Sequence, residues 1–458
     1  MKNRTRSHIL AEWIAALSAD DIPGSARVAV EDTVIDTVAL AVAAQHADYC
    51  RAVRKAFDSK GECAVWGAAD GVDPYGAAAI NGTCAHGEDF DNTFEGCPVH
   101  SGAVVVPALL AVGQQFGLSR KSVAKGLAVG IEVANRLGIV AGKGMHTAGF
   151  HPTAVLGTMA ASAGVAAATG QTVPQIRDSL GVAGSMAAGI IEYLADGSWT
   201  KRMHAGWAAQ SGIRAATMGA AGFRGPASVF EGAHGLFAAF APSINPEFAS
   251  LTSDLDSEWQ CARVAFKPYA CGTMTQPYID CARRLRNRGV VPKDIVRITC
   301  EVGEGTVHRL WEPLSLKQSP PAPYAAKFSS PYAVAAGLVY GDAGLAQFTV
   351  EAVRDPDVIS LAGKVFYEID PDNEYPRNYT GHVRAELRDG RVVEERQGQL
   401  RGGAKDPLPR SEILAKAQAN FEFAARKAED AETLKSFAGS LFDSDDLFSD
   451  QVLRSFEG

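Results

Sequence analysis

From residue 8 to residue 221 the apolar positions recur at helical spacing, and the sequence predicts a run of helices. They are expected at 8–18, 26–44, 75–84, 103–115, 122–140, 153–168, 174–186 and 206–221. In 26–44 the spacing of Val28, Val34, Ile35 and Val38 fits one helical face. Pro152 and Pro174 stand at helix starts, where a missing N–H forfeits no hydrogen bond. Abundant Ala and Gly predict close helix approach without long side chains, and so an all-helical bundle.

Near residue 260 the pattern changes. Strands are expected at 295–302 and 364–369, with a helix at 331–340. Residues 382–387 and 392–396 read as a hairpin, with Asp389-Gly390 supplying the positive φ angles of a type I′ turn. Helical pattern returns at 412–428 and 432–442. The fold class expected is mainly α with an α+β lid. A large all-helical domain is built from both chain ends, 1–262 and 405–458, and a smaller α/β domain from 263–404. Two lobes imply a cleft, and ligand sites favour such junctions.

Composition narrows the function classes. A chain of 458 residues, 47% apolar and 21% charged, is ordinary for a soluble folded protein. Its formal net charge of −8 argues against a nucleic-acid partner, which calls for a basic face. Local lysines can still hold an anionic substrate. The apolar runs 104–112 and 154–169 fall short of the about 20 residues a membrane span requires, so no membrane partner is expected. Eight scattered cysteines form no CxxC pair, which disfavours a structural zinc or iron–sulfur site. With no secretory-signal pattern at the start, reduced thiols in the cytoplasm are expected.

The polar exception to this apolar texture is 81–102, which gathers His86, Glu88, Asp89, Asp91, Thr93 and His100. Burying such groups unpaired costs about several kcal/mol each. A solvated acidic loop with Asp91 or Thr93 capping the next helix accounts for them. So does an acid–base pair of Asp89 and His100 whose surroundings push their pKa values apart. His151 precedes Pro152 at a helix start, where anions are favoured; an ordinary cap or core histidine is the alternative. Lys201, Arg202 and His204 stand just ahead of the helix expected at 206–221, as a surface cluster or as part of a site. Lys267 lies in an apolar stretch and needs an anionic partner, a role a substrate carboxylate would fill. A different chemistry, hydrolysis at a divalent metal held by His86, Asp89, Asp91, His100 and His151, competes weakly; no metal is expected. The glycine-rich 138–144 superficially resembles a phosphate-binding loop, but one spacer residue is missing and Gly144 replaces the Mg²⁺-binding hydroxyl. No GxSxG context supports acyl transfer.

Taken in order, Asn81-Gly82, Ala85-His86, Asp89-Phe90-Asp91, His100 and Gly149-Phe150-His151-Pro152-Thr153 begin a pattern covering nearly the whole chain. It continues with Lys201, His204-Ala205-Gly206, Glu231-Gly232, Gly235, Lys267-Pro268-Tyr269, Cys271, Ile279-Asp280, Phe328-Ser329 and Tyr332. The pattern resembles the MmgE/PrpD family, which includes 2-methylcitrate dehydratase, cis-aconitate decarboxylase and iminodisuccinate epimerase. The resemblance implies a helical domain from both chain ends, a smaller α/β lid, a homodimer and a site without cofactor. It places Asp89, Thr93, His100, His151, Lys201, Lys267 and Tyr332 around the pocket, with His204 as a further substrate-binding residue.

Four departures bear on the substrate more than on the chemistry. Asn92 stands where the family often has a second aspartate, and Ser101-Gly102 follows His100 in place of Pro-Ser or Pro-Gly. Thr93 lies one residue further from His100 than in decarboxylase members, and Gln276-Pro277 replaces a common histidine. The implied chemistry builds negative charge beside a carboxylate of a small di- or tricarboxylate, which cations must stabilise. Lys201 and Lys267 would do so, His151 or Asp89 would act as base, and His100 as acid. A 2-methylcitrate dehydratase-like hydro-lyase is the first expectation. An iminodisuccinate epimerase-like isomerase and a cis-aconitate decarboxylase-like enzyme are the alternatives.

Overall fold

The computed structural model describes residues 4–449 and 451–456. The protein is mainly α-helical with a small α/β part. Its chain forms two compact units. One takes the chain up to Gly87, then Asp91–Ala265, then the chain from Ile413 onward; the other takes Glu88–Phe90 and Phe266–Glu412.

The first unit is a bundle of long apolar helices, among them Gly24–Ala44, Pro74–His86, Ser101–Phe116, Arg120–Ala141, Pro152–Ala168, Val173–Met186 and Thr200–Ala220. Their starts follow local chemistry. The Asp73 side chain accepts from the N–H groups of Tyr75 and Gly76, Ser119 caps Arg120–Ala141, and Thr172 with Gln175 forms a capping box. A helix at Asp48–Ala56 is also present, which the apolar pattern does not predict because only Tyr49 and Cys50 are buried in it. In Gly24–Ala44 the expected single face is corrected: Val28 is 48% exposed, whereas Val34, Ile35 and Val38 share an interior that encloses the whole C-terminal half of the helix.

Two glycines bring two of these helices together. A Cβ on Gly206 would lie 2.0 Å from the Ala79 carbonyl oxygen, and one on Gly82 would lie 2.8 Å from the Gly206 Cα. Pro74–His86 and Thr200–Ala220 therefore cross almost backbone to backbone. This is the physical content of the Asn81-Gly82 and Ala205-Gly206 motifs.

The second unit holds a four-stranded sheet in the order Val365–Ile369, Ile295–Val302, Gly381–Leu387, Val392–Gln397. The first pair is parallel and the others antiparallel. Helix Gln276–Asn287 packs on the last two strands and on helix Ser330–Val339. The hairpin turn departs from type I′. Gly390 has φ 84°, but Asp389 is not among the described residues of positive φ, and Leu387 N–H donates to the Arg391 carbonyl. One left-handed residue closing a three-residue loop matches the bulge-type hairpin.

Candidate active site

Four helix ends of the first unit deliver four histidines to one place. His86 is the last residue of Pro74–His86; His100 and His151 are the N-cap residues of Ser101–Phe116 and Pro152–Ala168. His204 lies in the second turn of Thr200–Ala220, with Lys201 in the first. That helix starts six residues earlier than its apolar pattern predicts, so Lys201 and His204 are on it rather than ahead of it. Ring centroids are 4.8 Å apart for His86–His100, 5.6 Å for His86–His151 and 5.3 Å for His151–His204. Tyr193 packs edge-on against His151 and His204, closing the cluster with an aromatic wall.

Asp91 is the cluster's anion. Its Oδ2 lies 2.7 Å from Nδ1 of His86 and 3.3 Å from Nδ1 of His100, and the carboxylate is fully buried. Burial alone would raise its pKa, but the two imidazoles hold the carboxyl well below the usual range. A carboxylate only accepts, so His86 donates from Nδ1. The His100 Nδ1 also faces the Asn92 carbonyl oxygen at 2.9 Å. His151 and His204 share a proton between their Nδ1 atoms at 3.1 Å, and the His151 backbone N–H donates to the Gly189 carbonyl.

Burial and like charge keep three of the imidazoles, His86, His151 and His204, neutral. Burial first, then repulsion from the neighbouring imidazoles and Lys201, lowers His86 and His204 to about 4 and drives His151 well below its ordinary value. At neutral pH His86, His151 and His204 are thus uncharged, beside the ionised Asp91 carboxylate and a nearby ammonium. Such rings exchange protons, and the ammonium at Lys201 favours an anion in their midst.

Other expected site residues fall differently. Thr93 is buried in a two-stranded ribbon, paired with Ala265. In the second unit Lys267 has its anion within the chain: its Nζ donates to the Asp89 carbonyl at 2.7 Å and lies 3.4 Å from Oδ1 of Asp89. Asp89 itself has φ 55°, a left-handed conformation unusual for a residue with a side chain. Beside it in sequence, Glu88 pairs with Lys327, whose Nζ also donates to the Glu88 carbonyl. Tyr332 is wholly buried and its hydroxyl donates to the Gln347 carbonyl at 2.6 Å. The eight cysteines are all unpaired thiols and all buried.

Residues 8–249 match the model of the MmgE/PrpD N-terminal domain, and residues 269–438 that of the MmgE/PrpD C-terminal domain. The chain belongs to the MmgE/PrpD family. Among its relatives, a cis-aconitate decarboxylase-like protein of Aspergillus oryzae is 28% identical over 84% of this chain and 84% of its own length. The cis-aconitate decarboxylase of Aspergillus terreus is 25% identical over 90% of this chain and 89% of its own, and that of Homo sapiens 29% over 88% and 83%. The family read from scattered motifs is thereby shown along both parts of the chain, and the relatives' activities support enzyme status for this protein.

For this MmgE/PrpD protein, sequence reasoning underrated two members of the cluster. The pocket implied by resemblance omits His86 and Asp91, yet Asp91 holds two of the four rings and His86 stacks on His151 with 23° between ring planes. The available signal was the Ala85-His86 fragment together with the second acid of Asp89-Phe90-Asp91. Tyr193 carried no signal, since it lies in a stretch with no regular pattern.

Proposed function

We propose that this protein is a cofactor-independent lyase of a small di- or tricarboxylate, and that decarboxylation of a cis-aconitate-type substrate is its reaction. The buried four-histidine cluster beside an ionised Asp91 and Lys201 carries this reading. The relatives supply the reaction type: those named above are cis-aconitate decarboxylases or a decarboxylase-like protein. They move the proposal from dehydration, the first expectation, to decarboxylation.

In that reaction the C–CO₂⁻ bond breaks and CO₂ departs. The electron pair left on carbon is delocalised toward a remaining carboxylate, and a proton is delivered to carbon. Lys201 would stabilise the developing charge. His100 or His151 would deliver the proton, and Asp91 would balance the charge on a transient imidazolium. Thr93 and His204 would orient the substrate. Asp89 and Lys267 remain proposed members by resemblance, now as a pre-formed ion pair that neutralises part of Lys267's charge. Tyr332 also remains a proposed member by resemblance; its hydroxyl donates to the Gln347 carbonyl and can still accept. A cytoplasmic homodimer is proposed from family resemblance alone.

The test is turnover of cis-aconitate by the protein and by His100→Ala, Lys201→Ala and Lys267→Ala. Loss of about 100-fold or more in kcat at the first two, with the fold intact, is expected. Unchanged activity in all three would remove the assignment.

One observation favours a second reading. Donor atoms of His86, Asp91 and His100 lie within 4.8 Å of one another, close enough for a divalent metal and hydrolysis. A cation there would displace the Nδ1 protons that now bind Asp91 and the Asn92 carbonyl. Activity that survives exhaustive chelation supports the lyase reading, and loss restored by Zn²⁺ or Mn²⁺ supports the metal.

A further inference from the structure

Asn92 joins three parts of the first unit. Its side-chain Nδ2 donates to the Thr33 hydroxyl of helix Gly24–Ala44 at 3.1 Å. Its Oδ1 accepts from the Gly102 backbone N–H at 3.1 Å. Its main-chain carbonyl accepts from Nδ1 of His100 at 2.9 Å. The residue is completely buried.

The bond to Gly102 answers a local need. Helix Ser101–Phe116 begins at His100, whose side chain makes no capping bond, leaving first-turn N–H groups to find acceptors elsewhere. Asn92 supplies one from ten residues upstream. With both ends of its amide engaged, the orientation of the peptide that follows is fixed, and so is its carbonyl. Space around the side chain is closed as well: a Cβ on Gly102 would lie 2.7 Å from the Thr37 hydroxyl and 2.8 Å from Oδ1 of Asn92. Nearby, Asp36 on the same helix as Thr33 forms a buried pair with Lys416, Oδ1 to Nζ 2.7 Å, which backs this wall with compensated charge.

We propose that Asn92 is a positioning residue for His100. Its clamped carbonyl, with Asp91 beside it, confines one proton to Nδ1 and sends all proton exchange with substrate through Nε2. A carbonyl only accepts, as does the Asp91 carboxylate, so neither partner of Nδ1 tolerates the other neutral tautomer. In the neutral ring Nε2 then offers its lone pair. It becomes a donor once it has taken up a proton, with Asp91 stabilising the charge. The catalytic part of this inference rests on the lyase reading, but the tautomer does not.

Nitrogen-15 NMR of the protein labelled at histidine, with His100 assigned from His100→Gln, tests it. The wild-type His100 signal should be that of an Nδ1-protonated, Nε2-unprotonated ring. Asn92→Ala should yield mixed tautomers and lower kcat about 10-fold or more with KM within about 2-fold. Thr33→Val, which removes one of the two side-chain bonds, should give a smaller change of the same kind. A wild-type ring protonated at Nε2 overturns the proposal, and does so even if Asn92→Ala fails to fold. A folded Asn92→Ala with the wild-type tautomer and kcat overturns it too. If no polycarboxylate is turned over, the function proposal fails while the tautomer result still decides the role of Asn92.

Discussion

Gly206→Ala subjects the construction of the site to a quantitative test. The added Cβ would lie 2.0 Å from the Ala79 carbonyl oxygen and 2.7 Å from the Thr83 hydroxyl, against an ordinary contact of at least 3.4 Å. Helices Pro74–His86 and Thr200–Ala220 must then separate by about 1.4 Å, since the closest atom belongs to backbone and has no rotamer to change. Alanine favours a helix interior over glycine by about 1 kcal/mol, while overpacking costs about 1–3 kcal/mol and sometimes more. Two backbone-buried helices place this site at the upper end, so a net loss of about 2 kcal/mol is expected. Because one of these helices carries His86 and the other His204 and Lys201, the separation also widens the cluster. Activity should fall more than the loss of folded protein explains. Chemical denaturation followed by circular dichroism reads the stability, and kcat on the folded fraction reads the geometry. Gly24→Ala is the control, since nothing lies within 4 Å of its Cβ. Equal stability and kcat for Gly206→Ala and the wild type would refute the close-crossing argument.

Four further outcomes are expected. His86 and His204, each lowered to about 4 chiefly by burial, bind protons less readily folded than unfolded. Their contribution is therefore complete above the unfolded value near 6.5 and is lost as pH falls toward 4; denaturation at pH 7.5 and pH 5.0 should show lower stability in acid, less so in His204→Gln. Arg136 is buried, pairs with Glu132 at 2.5 Å and donates to the carbonyls of Ser250, Ser253, Asp254 and Glu258. Arg136→Met leaves Glu132 unpaired and should cost about 3–5 kcal/mol in denaturation. All eight thiols are buried, and burial pushes Cys97 and Cys271 up to about 12, so a disulfide reagent should titrate almost none in the native protein and eight after unfolding. Gly102→Ala should displace Asn92 and lower kcat, even though alanine is the better helix former there.

Much of the helical unit was legible because its helices are long and apolar, so periodicity and caps agree. The start of Thr200–Ala220 was not: Thr200, Lys201, Arg202 and Met203 are intermediate or exposed and carry no apolar period. Periodicity also places Val28 on the buried face, but it lies in the N-terminal half of its helix and is 48% exposed, whereas 32–44 are enclosed. Four residues of the candidate site, His100, His151, Lys201 and His204, could be named from odd chemistry in an apolar chain. Asp91 and His86 were not legible as its partners, because spacing along a loop does not reveal which acid reaches which ring; only the 2.7 Å and 3.3 Å approaches do. Partners within the chain were likewise illegible: Lys267 read as needing an anion, and only the structure shows Asp89 3.4 Å from its Nζ.

The most direct measurement of the central claim is NMR of cis-aconitate, citrate, methylcitrate and iminodisuccinate, each incubated with the protein in D₂O after chelation. Loss of CO₂ from cis-aconitate is expected, with one deuterium on the product carbon that receives the proton, both abolished in His100→Ala and Lys201→Ala. Alkene formation from citrate or methylcitrate without CO₂ loss would contradict decarboxylation, and deuterium exchange into iminodisuccinate alone would place the protein among the epimerases. Turnover that appears only when a metal is restored would contradict the cofactor-independent lyase itself.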